Sequence, residues 1–144
     1  MKDKFGGTSF AAQGALLAAQ SLFESGKTDA AKAALSWVAE SAPGDSLKAI
    51  ARLRLAGVHL QAKAVDDALK VLDAPMPDAY VALVADRKGD VLMAQGKADD
   101  AKAHYQKAWD AMSARTEYRQ LVQVKLASLG VSVSPAAAND GATR

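Results

Sequence analysis

The stretch GKADDAKAHYQKAW, Gly96 to Trp109, opens on a glycine, follows with two aspartates and gives four of its positions to alanine. Related stretches stand twice upstream: GKTDAAKAALSWV from Gly26 and KAVDDALKVLDA from Lys63. Alanine loses no side-chain entropy in a helix, and aspartate in a first turn is favoured by the helix dipole. Each stretch therefore predicts a helix entered from a tight turn. Gly26 and Gly96 supply the left-handed backbone such a turn needs. Aligned on their starts, the stretches share a small residue at Ala31, Ala68 and Ala101, at intervals of 37 and 33 residues. Twelve residues before each stand Ala19, Ala56 and Gly89, and four residues after each stand Leu35, Leu72 and Tyr105.

Two antiparallel helices approach closely only where both offer a methyl group or a hydrogen. A bulky residue one turn later fills the wedge that opens beyond the crossing. This small–small–large ruler, at a period near 34 residues, is that of the tetratricopeptide repeat. It predicts an all-α, tetratricopeptide-repeat (TPR-like) solenoid of three helical hairpins plus a C-terminal capping helix. Helices are expected over 9–25, 28–41, 45–62, 65–73, 78–95, 98–113 and 115–129. Repeats then run over about 9–44, 45–77 and 78–113, with the capping helix at 115–129 closing a domain of 9–130. Residues 1–8 are expected to be an inter-repeat remnant or linker, and 131–144, with little to bury, a disordered tail. Thr8 or Ser9 is the expected N-cap of the first helix. The first repeat closes at Pro43. The second hairpin departs from type: Lys63 stands where glycine is expected, and APMP (Ala74 to Pro77) cuts its second helix short.

Bulk composition agrees. The 144 residues are 50% hydrophobic but only 6% aromatic, which favours helices built on alanine and leucine. Cysteine is absent, so thiol catalysis and cysteine-ligated metal sites are excluded. Net charge is +2 with both signs interspersed, and the densest basic run is only Lys48, Arg52 and Arg54. That pattern lacks the clustered cations of a nucleic-acid binder. The uncharged run over 5–23 contains Gly6, Gly7, Gln13 and Gln20, too polar for a spanning helix or a signal-peptide core.

Catalytic signals are missing. His59 and His104 lie on different hairpins, and His104 stands four residues after Asp100, as a surface ion pair would. No HExxH, GxSxG or phosphate-loop motif occurs, so neither an enzyme nor a resident cofactor or metal is expected. For binding, the fold predicts a groove lined by the first helix of each pair. Gln13, Leu16, Gln20 and Phe23 are its candidates from the first hairpin. Leu53, Gly57 and Leu60 come from the second, and Asp86, Asp90 and Met93 from the third. This surface is apolar with an acidic edge, suited to a hydrophobic or basic segment. Leu16, Leu53 and Leu60 fit a core role between hairpins equally well. Trp37, Trp109, Tyr80 and Tyr118 fall at helical spacing and suit packing between helices.

Between the repeats, four segments carry a resemblance: GTSFAAQGALLAAQSL (Gly7 to Leu22), LKAIARLRLAGVHLQ (Leu47 to Gln61), DAYVALVADRKGDVLMAQGKADDAKAHYQKA (Asp78 to Ala108) and YRQLVQVKLASLG (Tyr118 to Gly130). In this order they resemble the periplasmic domain of the YfgM family, the ancillary subunit of the bacterial Sec translocon. The resemblance covers residues 5–130. It implies a TPR domain on the periplasmic side of the bacterial inner membrane, held by an N-terminal anchor helix that this chain lacks. It also implies protein partners: the SecYEG translocon and a membrane-anchored chaperone of the PpiD type. TPR domains that grip an acidic C-terminal peptide hold its carboxylate with Lys and Asn, whereas those places here carry Leu, Gly and Asp. KFGGTSF looks like a joint between repeats, so the first helix is expected to expose apolar surface and favour self-association. The expected role is a non-enzymatic docking module for a chaperone partner or a translocating polypeptide. The rivals are a cytosolic TPR scaffold in stress-response regulation and a structural subunit of a cell-envelope assembly.

Overall fold

The structure, a computed structural model, describes residues 9–113 and 117–133. The expectations for 1–8, the Thr8 cap, the start of the capping helix at 115 and the tail beyond 133 lie outside the described residues. The described residues form seven α-helices, in order α1 (Ser9–Glu24), α2 (Thr28–Ser41), α3 (Asp45–Gln61), α4 (Val65–Leu72), α5 (Val81–Ala94), α6 (Ala98–Ala111) and α7 (Glu117–Ser128). The described residues contain no strand. The chain is an all-α helical-hairpin repeat.

Turn chemistry sets the helix ends. Gly26 has φ +83° and Gly96 φ +77°, and each turn closes with the same pair of backbone bonds. Gly26 N–H donates to the Phe23 carbonyl at 3.0 Å and Lys27 N–H to Leu22 at 2.8 Å. Gly96 and Lys97 repeat this onto Met93 and Leu92 at 3.0 and 2.9 Å. Lys63 takes the same left-handed conformation at φ +64°, and Lys63 and Ala64 donate to Leu60 and His59. The second hairpin therefore keeps the turn and bears the strain of a side chain there. Helices α2, α4 and α6 start without a side-chain cap bond, but each carries aspartate in its first turn: Asp29, Asp66 with Asp67, and Asp99 with Asp100. Past Pro77 the chain first makes a 3₁₀ turn, Asp78–Tyr80, so α5 begins at Val81 rather than at 78.

Two compact units divide between Asp78 and Ala79. In the first, α1 packs on α2, α2 on α3 and α3 on α4, and α1 also meets α3. Its core gathers Ala12, Leu16 and Ala19 of α1, Leu35 and Val38 of α2, and Ala51, Leu55 and Val58 of α3. In the second, α5 packs on α6 and α6 on α7, around Ala85, Leu92, Ala101, Tyr105, Trp109, Val122 and Leu126.

Every position of the small–small–large ruler is buried: Ala19, Ala31, Leu35, Ala56, Ala68, Leu72, Gly89, Ala101 and Tyr105. The third hairpin shows why size matters. A Cβ on Gly89 would stand 2.5 Å from Cε1 and 2.6 Å from Cδ1 of the Tyr105 ring. Where the large residue is leucine, alanine faces it. Where it is tyrosine, only a hydrogen fits.

Gly130, 34 residues after Gly96, has φ +84°. Gly130 and Val131 N–H donate to Ala127 and Leu126 at 3.0 and 2.9 Å, the same pattern that ends α1, α3 and α5. Helix α7 is thus built as the first helix of a further repeat. One face, Val122 and Leu126, is buried in the core it shares with α6. Positions that carry Leu53 and Ala56 in α3 carry Gln120 and Gln123 in α7, and Gln120 is exposed. This face of α7 is polar where the same face of α3 is apolar, and glutamine needs no apolar partner.

Candidate interaction surface

Two charges break the repeat's apolar register, and they find each other. Asp86 in α5 occupies the position of Leu16 in α1 and Leu53 in α3, ten residues before the turn residue. It is 0% exposed. Lys125 in α7 occupies the position of the buried Val58 and Val91, five residues before the turn residue. A buried carboxylate is costly unless its charge is matched and its lone pairs are taken. Lys125 Nζ lies 3.0 and 3.1 Å from the two Asp86 oxygens and 3.0 Å from Asp90 Oδ1. Tyr118 donates its hydroxyl to Asp86, and Tyr105 donates to Asp90 Oδ1 at 2.6 Å. The ammonium also lies over both rings, 5.5 Å from the Tyr105 centroid and 5.9 Å from that of Tyr118.

This arrangement fixes protonation as well as position. Burial first, then the hydrogen-bonded carboxylate, pushes both phenols well above their ordinary range: Asp90 for Tyr105, Asp86 for Tyr118. Both stay donors at neutral pH. A second buried cation anchors α7 elsewhere. Arg119, 2% exposed, donates from Nε to the Trp109 carbonyl at 3.3 Å and lays its guanidinium 3.7 Å over the Trp109 ring.

The candidate groove residues fall into three groups. Leu16 belongs to the core of the first unit, and Leu53 is buried as well. Asp86 is enclosed in the network. Phe23, Gly57, Leu60 and Asp90 are half-buried. Gln13, Gln20 and Met93 are exposed, with Gln20 donating to Glu24 Oε2 at 3.2 Å. The structure brings Asp86 and Asp90 together but gives them to Lys125, so the acidic edge is largely neutralised by the protein itself. Exposed apolar side chains remain on the first helices of the second unit. Met93 is 39% exposed on α5, Val124 63% on α7, and Leu121 is exposed beside Val124. Val124 sits six residues before its turn glycine, the register of the candidates Gln20, Gly57 and Asp90.

Sequence reasoning missed Lys125, Val124 and Leu121. The signal was present in the third turn glycine, Gly130, which places all three in the repeat register. His59, at the end of α3, has Nδ1 buried without a hydrogen-bond partner among the described residues. Burial, then the nearby Lys32, holds its pKa below the ordinary value, with Asp67 opposing. No group of three or more His, Asp or Glu among the described residues is placed to hold a metal ion, and none of their helices is long and apolar enough to cross a membrane.

Comparison with known proteins places these features. An ancillary SecYEG translocon subunit of Neisseria gonorrhoeae is 38% identical over 119 residues, which cover 83% of this chain and 57% of that protein. An ancillary SecYEG translocon subunit of Escherichia coli K12 is 30% identical over 125 residues, covering 85% of this chain and 59% of that protein. The chain thus spans somewhat more than half the length of these relatives. No solved structure matches. The tetratricopeptide repeat-like domain family matches residues 1–131. By that match, by its helical-hairpin repeats and by these relatives, the chain belongs to the tetratricopeptide repeat-like family in which the ancillary SecYEG translocon subunits are found.

Proposed function

We propose that this chain is a non-enzymatic docking module: the periplasmic domain of a membrane-anchored accessory protein of the SecYEG translocon. Its work is to hold a chaperone partner of the PpiD type, or a segment of translocating polypeptide, against the first-helix faces of its hairpins. The likeness to two ancillary translocon subunits across more than four-fifths of the chain is the observation that carries this. The chemistry of the surface supports an apolar client over a basic one. Asp86 and Asp90 are spent on Lys125, Tyr105 and Tyr118, while Met93, Leu121 and Val124 face outward. A flexible methionine beside aliphatic side chains adapts to varied partners.

Two measurements test the reading. The full-length protein, affinity-tagged and isolated from gently solubilised membranes, is expected to bring translocon subunits with it. A version lacking this domain is expected to lose most of that association or its chaperone component. Alkaline phosphatase fused after Arg144 in the full-length protein is expected to be active, as it is only outside the cytoplasm. An inactive fusion, or co-isolation indifferent to the domain, overturns the proposal.

A further inference from the structure

The second unit holds an open pocket of about 500 Å³ that the surface described above does not use. Ala82 and Leu83 of α5, Ala111 and Met112 at the end of α6, and Tyr118 of α7 form its walls, and Arg87 is its charged group. In sequence, Arg87 has Asp86 one residue before, which a helix turns to a different face, and Asp90 three residues after, within reach on its own face. Both carboxylates turn instead to Lys125. Among the described residues Arg87 makes no ion pair, and its Nε is buried without an acceptor. Nε is itself closed to solvent, so an acceptor supplied from outside meets the guanidinium at its terminal N–H groups.

The pocket's chemistry selects that acceptor. The guanidinium is a planar fork that matches a carboxylate in a bidentate pair. A phosphate would call for several further donors, but the Tyr118 hydroxyl is already given to Asp86, and the lining adds only the single hydroxyl of Ser113. Apart from Ser113, the remaining walls are methyl, isobutyl, thioether and aromatic surfaces, which favour an apolar side chain. We propose that this pocket takes an aliphatic side chain of a partner protein together with the adjacent Glu or Asp carboxylate, which accepts from Arg87. This rests on the reading of the chain as a protein-docking module and names a second, chemically distinct contact within it: acidic–apolar at Arg87, apolar at Met93 and Val124.

The test uses the full chain and a blocked peptide, acetyl-Ala-Leu-Glu-Leu-Ala-amide, beside its Gln counterpart, titrated to about 10 mM while methyl resonances are followed by NMR. The expected result is saturable shifts at Leu83 and Met112, with the Glu peptide binding about tenfold more tightly than the Gln peptide. Arg87→Gln should erase that preference and Arg87→Lys should keep part of it. Ala79→Phe, which fills the pocket from its exposed rim, should abolish the shifts. Circular dichroism of each variant confirms that the fold is kept. Equal affinity for the two peptides, a preference that survives Arg87→Gln, shifts confined to Met93 and Val124, or no shifts at all would each overturn the proposal. Translocon co-isolation by full-length protein carrying Arg87→Gln separates the two ideas. If the pocket fails its test while co-isolation persists, only this inference falls.

Discussion

At the scale of single residues, the fold turns on what faces what across a hairpin. Gly89 is glycine because Tyr105 stands opposite, 3% exposed and tethered through its hydroxyl to Asp90. A ring so held cannot swing aside. Gly89→Ala is expected to cost about 1–3 kcal/mol through overpacking. Adding Tyr105→Leu, which recreates the Ala–Leu pairing of the other two hairpins, should recover part of that loss. Urea denaturation of the two single variants and the double variant measures the coupling, and strictly additive losses would refute the steric account. Lys63 offers the opposite sign. Its φ of +64° strains any residue with a Cβ, and its side chain is exposed. Lys63→Gly is expected to be neutral to about 1 kcal/mol stabilising in the same assay, the strain relieved being offset in part by chain entropy. A clear destabilisation would show that the lysine side chain contributes something the backbone geometry does not reveal.

At the scale of helices, α5 and α7 are joined by a polar network where α1 and α3 use aliphatic packing. Lys125→Met leaves Asp86 buried without its counter-charge and is expected to cost about 3–5 kcal/mol. Asp86→Leu with Lys125→Val installs the residues of the earlier repeats and should cost much less than the single change. Thermal unfolding of both variants decides it; equal losses would mean the network's role is not charge compensation. His59 at the end of α3 adds a pH dependence. Its pKa is lowered in the fold, so the unfolded chain takes up the proton first as pH falls. The stability this confers is present above the ordinary value near 6.5 and is lost as pH falls toward the folded value. His59→Gln should therefore flatten the stability profile between about pH 7 and pH 5. The helix pattern was legible in the sequence because the small residues, the turn glycines and the first-turn aspartates all express one local geometry. Less legible was the surface, because Leu16 and Asp86 share a register but meet different neighbours. Leu16 joins an apolar core, whereas Asp86 is sealed by a lysine 39 residues away. Only the period marked by Gly130 relates them, and that period becomes plain once the turn at 130 is seen to copy those at 26, 63 and 96.

At the scale of the whole molecule, Asp86, Asp90 and Lys125 are spent on one another, while Met93, Leu121 and Val124 stay exposed. A net charge of +2 spread over 144 residues gives no strong field toward an anionic surface or nucleic acid. Selectivity for a partner must then come from contact, on the first-helix faces and at the Arg87 pocket. The most direct measurement of the central claim is site-specific photocrosslinking in intact membranes, with the probe placed singly in the full-length protein. Probes at Gln20, Met93 and Val124 sample the first-helix faces, and probes at Ala33 and Lys107 sample exposed positions of the second helices. Adducts with translocon components or a translocon-associated chaperone are predicted from the first set. Adducts arising only from the second set would contradict the account.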